Sequence, residues 1–213
     1  LLNCAFLGIY KVHTLMVLAG LGQFSGNLLI GFGLFSILVA GIFILNQPDY
    51  KRMLAYSSIE NMGIIAFGVG IGGLGLYGAM LHLIHHSLLK SSLFLSAGNV
   101  VLGFGTKLVS RCGGLVRVLP RTAVTLLAGF VGISGLPPFG AFISELLILL
   151  AAFRSGHPWA AALFIASLVL VVAGFSRIIL SMAFGPQREE VQINEQPLRL
   201  VSPLVLLLTS ALL

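Results

Sequence analysis

The stretch 76–104, LYGAMLHLIHHSLLKSSLFLSAGNVVLGF, decides the fold. It holds one lysine and no acid, and it exceeds the about 20 apolar residues that a helix needs to cross a ~30 Å hydrocarbon core. His82, His86 and Lys90 interrupt it at four-residue spacing, which stacks them on one helical face about 6 Å apart along the axis. An ionisable side chain near the bilayer centre costs roughly 2.5–3.5 kcal/mol on the mild insertion scale, so such residues face a bundle interior or a water-filled path. Lys90 stands fourteen residues from either end of the stretch, a rise of about 21 Å each way. That is too deep for its side chain to reach an interface, so protein or internal water must solvate it.

The rest of the chain agrees with a lipid environment. It is 58% hydrophobic and 8% charged, with a mean hydropathy of +1.07, against about 25% charged residues in a soluble domain. The net charge of +6 does not indicate nucleic acid, because the basic residues lie mostly in short loops without interleaved exposed aromatics. Cys4 and Cys112 are too few for a disulfide framework or a four-thiolate iron–sulfur cluster. The chain is expected to carry no cofactor of its own. Neither a basic leader nor a small-residue cleavage site precedes the first apolar run, and both ends are read as cuts through a larger protein.

Five complete spans are expected, at 27–46, 54–72, 76–104, 122–153 and 159–184, with partial spans at 1–10 and 200–213. The whole chain, 1–213, reads as a single transmembrane domain: an all-α, polytopic helix bundle. Turn signals separate the spans, among them Gln47-Pro48-Asp49, Gly72-Gly73, Gly156-His157-Pro158 and Gly185-Pro186. One set of loops carries Lys51, Arg52, Lys107, Arg111, Arg117, Arg121, Arg188 and Arg199, and the other set carries Lys11 and Arg154. Eight against two predicts that the first set is cytoplasmic. Arg177, seven residues before Phe184, is within snorkelling reach of that side. Glycines within the spans allow close helix packing; the run 68–73 lacks the strand and acid of a dinucleotide fingerprint.

Three further residues carry potential chemistry. Glu145 follows Ser134-Gly135-Leu136-Pro137-Pro138-Phe139-Gly140, where two prolines remove backbone donors and the glycines loosen the helix. A broken helix is predicted there, and transporters place ion sites at such breaks. Glu60 lies six residues inside the span that begins at Leu54, about 9 Å deep; it fits either a proton uptake point or an interfacial carboxylate. His85 joins His82 and His86 as a conceivable metal group, but no Glu stands between them as in H-E-x-x-H, and Lys90 would repel a metal ion. Neutral imidazole can accept a proton at one nitrogen and donate one from the other, so the 82/86/90 ladder reads as a proton relay, with packing histidines as the alternative.

With these features the chain resembles the antiporter-like membrane subunits shared by respiratory complex I, multisubunit sodium/proton antiporters and energy-converting NiFe hydrogenases. The resemblance rests on Asp49-Tyr50-Lys51-Arg52-Met53-Leu54-Ala55-Tyr56-Ser57-Ser58, on the ladder followed by Ser91-Ser92-Leu93-Phe94, and on Gly135-Leu136-Pro137-Pro138 with Glu145 downstream. The stretch Ser57-Ser58-Ile59-Glu60-Asn61-Met62-Gly63 looks most like the formate-hydrogenlyase and hydrogenase-four-type branch.

The resemblance implies one inverted-repeat half of a fourteen-helix fold, with Lys90, His86 and His82 on its central hydrophilic axis and Glu145 on the second broken helix. Asn3 stands where many complex I relatives have a lysine. Implied function is proton translocation in a redox-driven complex of a prokaryotic plasma membrane, with other membrane subunits and hydrophilic redox subunits as partners. A sodium/proton antiporter subunit is the alternative.

Overall fold

The computed structural model describes residues 2–187 and 195–213. Nine α-helices are formed among the described residues: α1 (Leu2–Leu18), α2 (Gly22–Leu45), α3 (Tyr50–Ile71), α4 (Leu74–Phe104), the single-turn α5 (Leu115–Val118), α6 (Pro120–Ile133), α7 (Gly140–Arg154), α8 (Pro158–Phe184) and α9 (Leu198–Leu212). Four of them, α2, α3, α4 and α8, are long and apolar enough to cross a membrane. The fifth expected span, 122–153, is two half-helices, α6 and α7, with the predicted break between them. Gly135 turns left-handed at φ +61°; its N–H reaches Gly132 O and that of Leu136 reaches Val131 O. This Schellman closure satisfies the last carbonyls of α6, and Pro137 and Pro138 cannot donate to continue the helix.

Two expectations need correction. Lys11 is part of α1, which runs eight residues past the expected partial span 1–10, and not of a loop. Likewise α3 begins at Tyr50, four residues before the expected start at Leu54. The cause is Asp49, whose carboxylate accepts from the backbone N–H groups of Lys51 and Arg52 at 2.9 and 3.1 Å, an N-cap that nucleates one more turn. Glu60 thus lies ten residues into α3, about 15 Å from its start, at mid-helix and not near the interface.

The same cap ties the basic first turn of α3 to the loop after α4 at one end of the bundle. Asp49 pairs with Lys107 at 3.5 Å, Tyr50 N–H donates to Lys107 O and Val109 N–H to Pro48 O, and the Tyr50 hydroxyl donates to Thr106 O and Ala97 O. Cys112 is buried beneath them. Arg188, assigned to the same side in the sequence, lies outside the described residues.

Helices α2 and α3 meet on glycine. A Cβ at Gly33 would come 2.7 Å from Gly63 O, and one at Gly63 would come 2.7 Å from Gly33 O; seven residues on, Gly26 and Gly70 oppose each other in the same way at 2.9 and 2.6 Å. Backbone sets the separation here, so no side-chain rearrangement can relieve a substituent. Gly63→Val is therefore expected to destabilise the detergent-solubilised protein by at least the about 1–3 kcal/mol of an overpacked core, lowering its thermal unfolding midpoint. Gly31→Val, at a glycine with open space around its Cβ position, is the control that leaves the midpoint unchanged. Equal midpoints for both would remove this seam as a determinant of the fold.

α4 is the central post, and its polar residues divide between two faces. His85, Ser92 and Asn99, seven residues apart, bond to α9: His85 Nδ1 to Ser210 Oγ at 3.1 Å, Ser92 Oγ to Pro203 O at 2.9 Å, and Asn99 Nδ2 to Arg199 O at 3.4 Å. The last bond has a local reason, because Pro203 has no N–H with which to satisfy the carbonyl four residues before it. His82, His86 and Lys90 share the other face, all at 5% exposure or less. The N-terminus of α6, near the C-terminal end of α4, is capped from a distance: Glu195 accepts from the N–H groups of Arg121 and Thr122.

Candidate proton-relay site

Lys90 is anchored to α3. Its ammonium donates to Leu54 O at 2.9 Å and to Ser57 Oγ at 2.8 Å, hydrogen bonds that compensate part of the cost of burying a charge. The Glu60 carboxylate, one helical turn along α3 and 3% exposed, is close enough to Ser57 for a side-chain hydrogen bond and feels the charge of Lys90. The two charges lie beyond direct ion-pair distance, so each is felt by the other without being locked to it. In a low-dielectric interior that interaction is large, and protonation of one changes the cost of charging the other.

From Glu60 the polar contacts continue across the bundle. Asn61 Nδ2 donates to Glu60 Oε2 and to Ser57 O, both at 2.7 Å. Its Oδ1 meets His82 Nε2 at 3.0 Å, and His82 Nδ1 meets Ser144 Oγ on α7 at 2.8 Å. Lys90 and Ser57, then Glu60, Asn61, His82 and Ser144, form a buried array that runs from α4 through α3 to the second half of the broken helix. Glu145 is the next residue.

The sequence-selected residues do not all join this array. Glu145 is partly buried and points across the break, where a Cβ at Gly135 would overlap its carboxylate. It also lines a cleft of about 480 Å³ with Ser134, Phe164 and Leu168. His86 is buried and neither ring nitrogen has a hydrogen-bond partner among the described residues. His85 faces α9 on the other side of α4, with its ring against Gly140, so the three histidines do not converge. No group of three or more potential metal ligands occurs among the described residues. Asn3 donates to Ser87 Oγ on α4, and Arg177 is exposed on α8.

Ser57, Asn61 and Ser144 were not singled out by sequence. Uncharged polar residues leave little mark on hydropathy or charge, and their function here depends on contacts between helices. A signal did exist: Ser57 and Asn61 stand three residues before and one after Glu60, and Ser144 immediately precedes Glu145.

A polytopic membrane bundle with a broken helix and a buried array of titratable groups defines the class of this chain. The family described as "NADH:quinone oxidoreductase/Mrp antiporter, TM" matches residues 1–171, and the chain belongs to it. It is 36% identical over 189 residues to the hydrogenase-4 component F homolog of Methylacidiphilum infernorum, covering 88% of this chain and 40% of that protein. To hydrogenase-4 component B of Escherichia coli it is 36% identical over 178 residues, covering 78% of this chain and 26% of that one. A chain of respiratory complex I from Thermus thermophilus with bound NADH superposes with a TM-score of 0.88 at 26% identity, over 99% of this chain and 45% of that chain. The chain thus spans less than half the length of these relatives.

Proposed function

We propose that this chain forms part of the proton-translocating membrane subunit of a redox-driven respiratory or hydrogenase complex in a prokaryotic plasma membrane. The observation that carries the reading is the buried array from Lys90 to Ser144. Its titratable groups lie on two facing helices and its contacts reach a third, and burying them is costly unless function retains them. Lys90, Glu60, His82 and His86 are the groups that hold protons along this axis, and Glu145 receives them at the break. Energy comes from electron transfer in hydrophilic partner subunits, and this chain supplies the path through the membrane alongside other membrane subunits. Likeness to hydrogenase-4 components supports the redox assignment.

Purification of the full-length subunit from native membranes in mild detergent tests this. Mass spectrometry is expected to find metal or flavin proteins in the same complex, and electron transfer in reconstituted vesicles is expected to drive proton movement that a protonophore collapses. Recovery with small antiporter subunits alone, together with proton movement driven by a sodium gradient, would replace this reading with the sodium/proton antiporter.

A further inference from the structure

We infer that Ser144 is a positioning residue for His82: with Asn61 it holds the neutral ring as the Nε2–H tautomer, with Nδ1 facing the Ser144 hydroxyl. The inference rests on the relay reading above. It begins with the orientation of the Asn61 amide, which its neighbours force. Ser57 O is a carbonyl and can only accept, so the Asn61 atom 2.7 Å from it is the NH₂ group, which also serves Glu60. The atom facing His82 Nε2 is then Oδ1, an acceptor only. Nε2 therefore carries its hydrogen whether the ring is neutral or charged, and Nδ1 is the nitrogen left to titrate. The amide between Glu60 and His82 holds both groups but passes no proton between them.

Ser144 Oγ sits on that nitrogen at 2.8 Å, with Ala141 O as its second neighbour at 2.7 Å. It has one hydrogen and two directions in which to place it. When His82 is neutral, the hydroxyl donates to the Nδ1 lone pair. When a proton occupies Nδ1, the N–H donates to Oγ and the hydroxyl hydrogen turns to Ala141 O. Ser144 can thus satisfy Nδ1, and Asn61 can satisfy Nε2, in either state of the ring. His85 and His86 on the same helix, Glu60 and Lys90 beyond Asn61, and Glu145 beside Ser144 are the other titratable groups around the ring; Asn61 and Ser144 are the partners of its two nitrogens.

An alanine at 144 can neither donate nor accept, and His82 has no solvent to turn to. Because Ser144 lies just past the break, the charge on α4 is registered in the first turns of α7, one residue from Glu145.

The full-length subunit within its complex, labelled with ¹⁵N-histidine and assigned by difference from His82→Gln, tests this. Neutral His82 is expected to carry hydrogen on Nε2 in the wild type and in Ser144→Ala, and to move toward the Nδ1–H form in Asn61→Leu, where only Ser144 remains as a partner. In vesicles Ser144→Ala should slow proton movement about fivefold or more, the effect of one lost buried hydrogen bond, and Ser144→Thr should restore it. Hydrogen on Nδ1 in the neutral wild-type ring, or wild-type proton movement in Ser144→Ala, would overturn the inference. Normal pumping by Lys90→Met would overturn the relay reading alone, since the tautomer is measured without transport.

Discussion

Replacement of Lys90 by methionine is expected to abolish coupled proton movement while the complex still assembles. The lysine stem is packed within the bundle at 5% exposure, and methionine fills nearly the same volume with an unbranched, adaptable chain. What disappears is the cation and its two donated bonds, to Leu54 O and Ser57 Oγ. Both acceptors keep other partners in or near α3, so the structural loss is modest. Glu60, by contrast, loses the positive charge that acts on it, and its proton no longer responds to anything at position 90. A positioned proton-transfer group contributes roughly a hundredfold or more, and a drop of that size is expected in vesicles at unchanged complex abundance on native gels. Assembled Lys90→Met complexes that pump at the wild-type proton-to-electron ratio would reduce the ladder to packing.

Much of this site was legible because membrane burial makes charge conspicuous. Lys90 lies at the centre of a long apolar run, and four-residue spacing alone places His82 and His86 on its face. The break at 134–140 was equally readable, since two prolines and two glycines in a hydrophobic segment leave few alternatives to an interrupted helix. The depth of Glu60 was misjudged because hydropathy starts the span at Leu54, whereas the Asp49 cap starts the helix at Tyr50.

Spacing also could not distinguish two histidines of one face. His82 is held at both nitrogens while His86 is held at neither, a difference set by what α3 and α7 present opposite each ring. His85, next to His86 in the chain, belongs to the α9 seam, a partner helix that local sequence does not reveal. The remaining positions, Ser57, Asn61 and Ser144, acquire meaning only once three helices are packed together.

At Glu145 the expected result is a complex that assembles and transfers electrons but no longer moves protons through this subunit when the residue becomes glutamine. The carboxyl group lies against the left-handed turn at Gly135 and at the wall of the cleft between α7 and α8. Glutamine has nearly the same size and hydrogen-bonding reach, so the broken helix keeps its geometry and the cleft its shape. It cannot ionise, however, and the site stays permanently neutral, which interrupts proton exchange beyond Ser144. Glu145→Gln should therefore lower proton movement by about a hundredfold, as for other positioned proton-transfer groups, with redox turnover assayed in parallel on the same vesicles. Glu145→Asp retains a titratable carboxyl group and should recover part of the rate, which separates loss of charge from loss of shape. If Glu145→Gln pumps as wild type, protons leave the array before reaching α7, and the path must turn aside at His82 or His86.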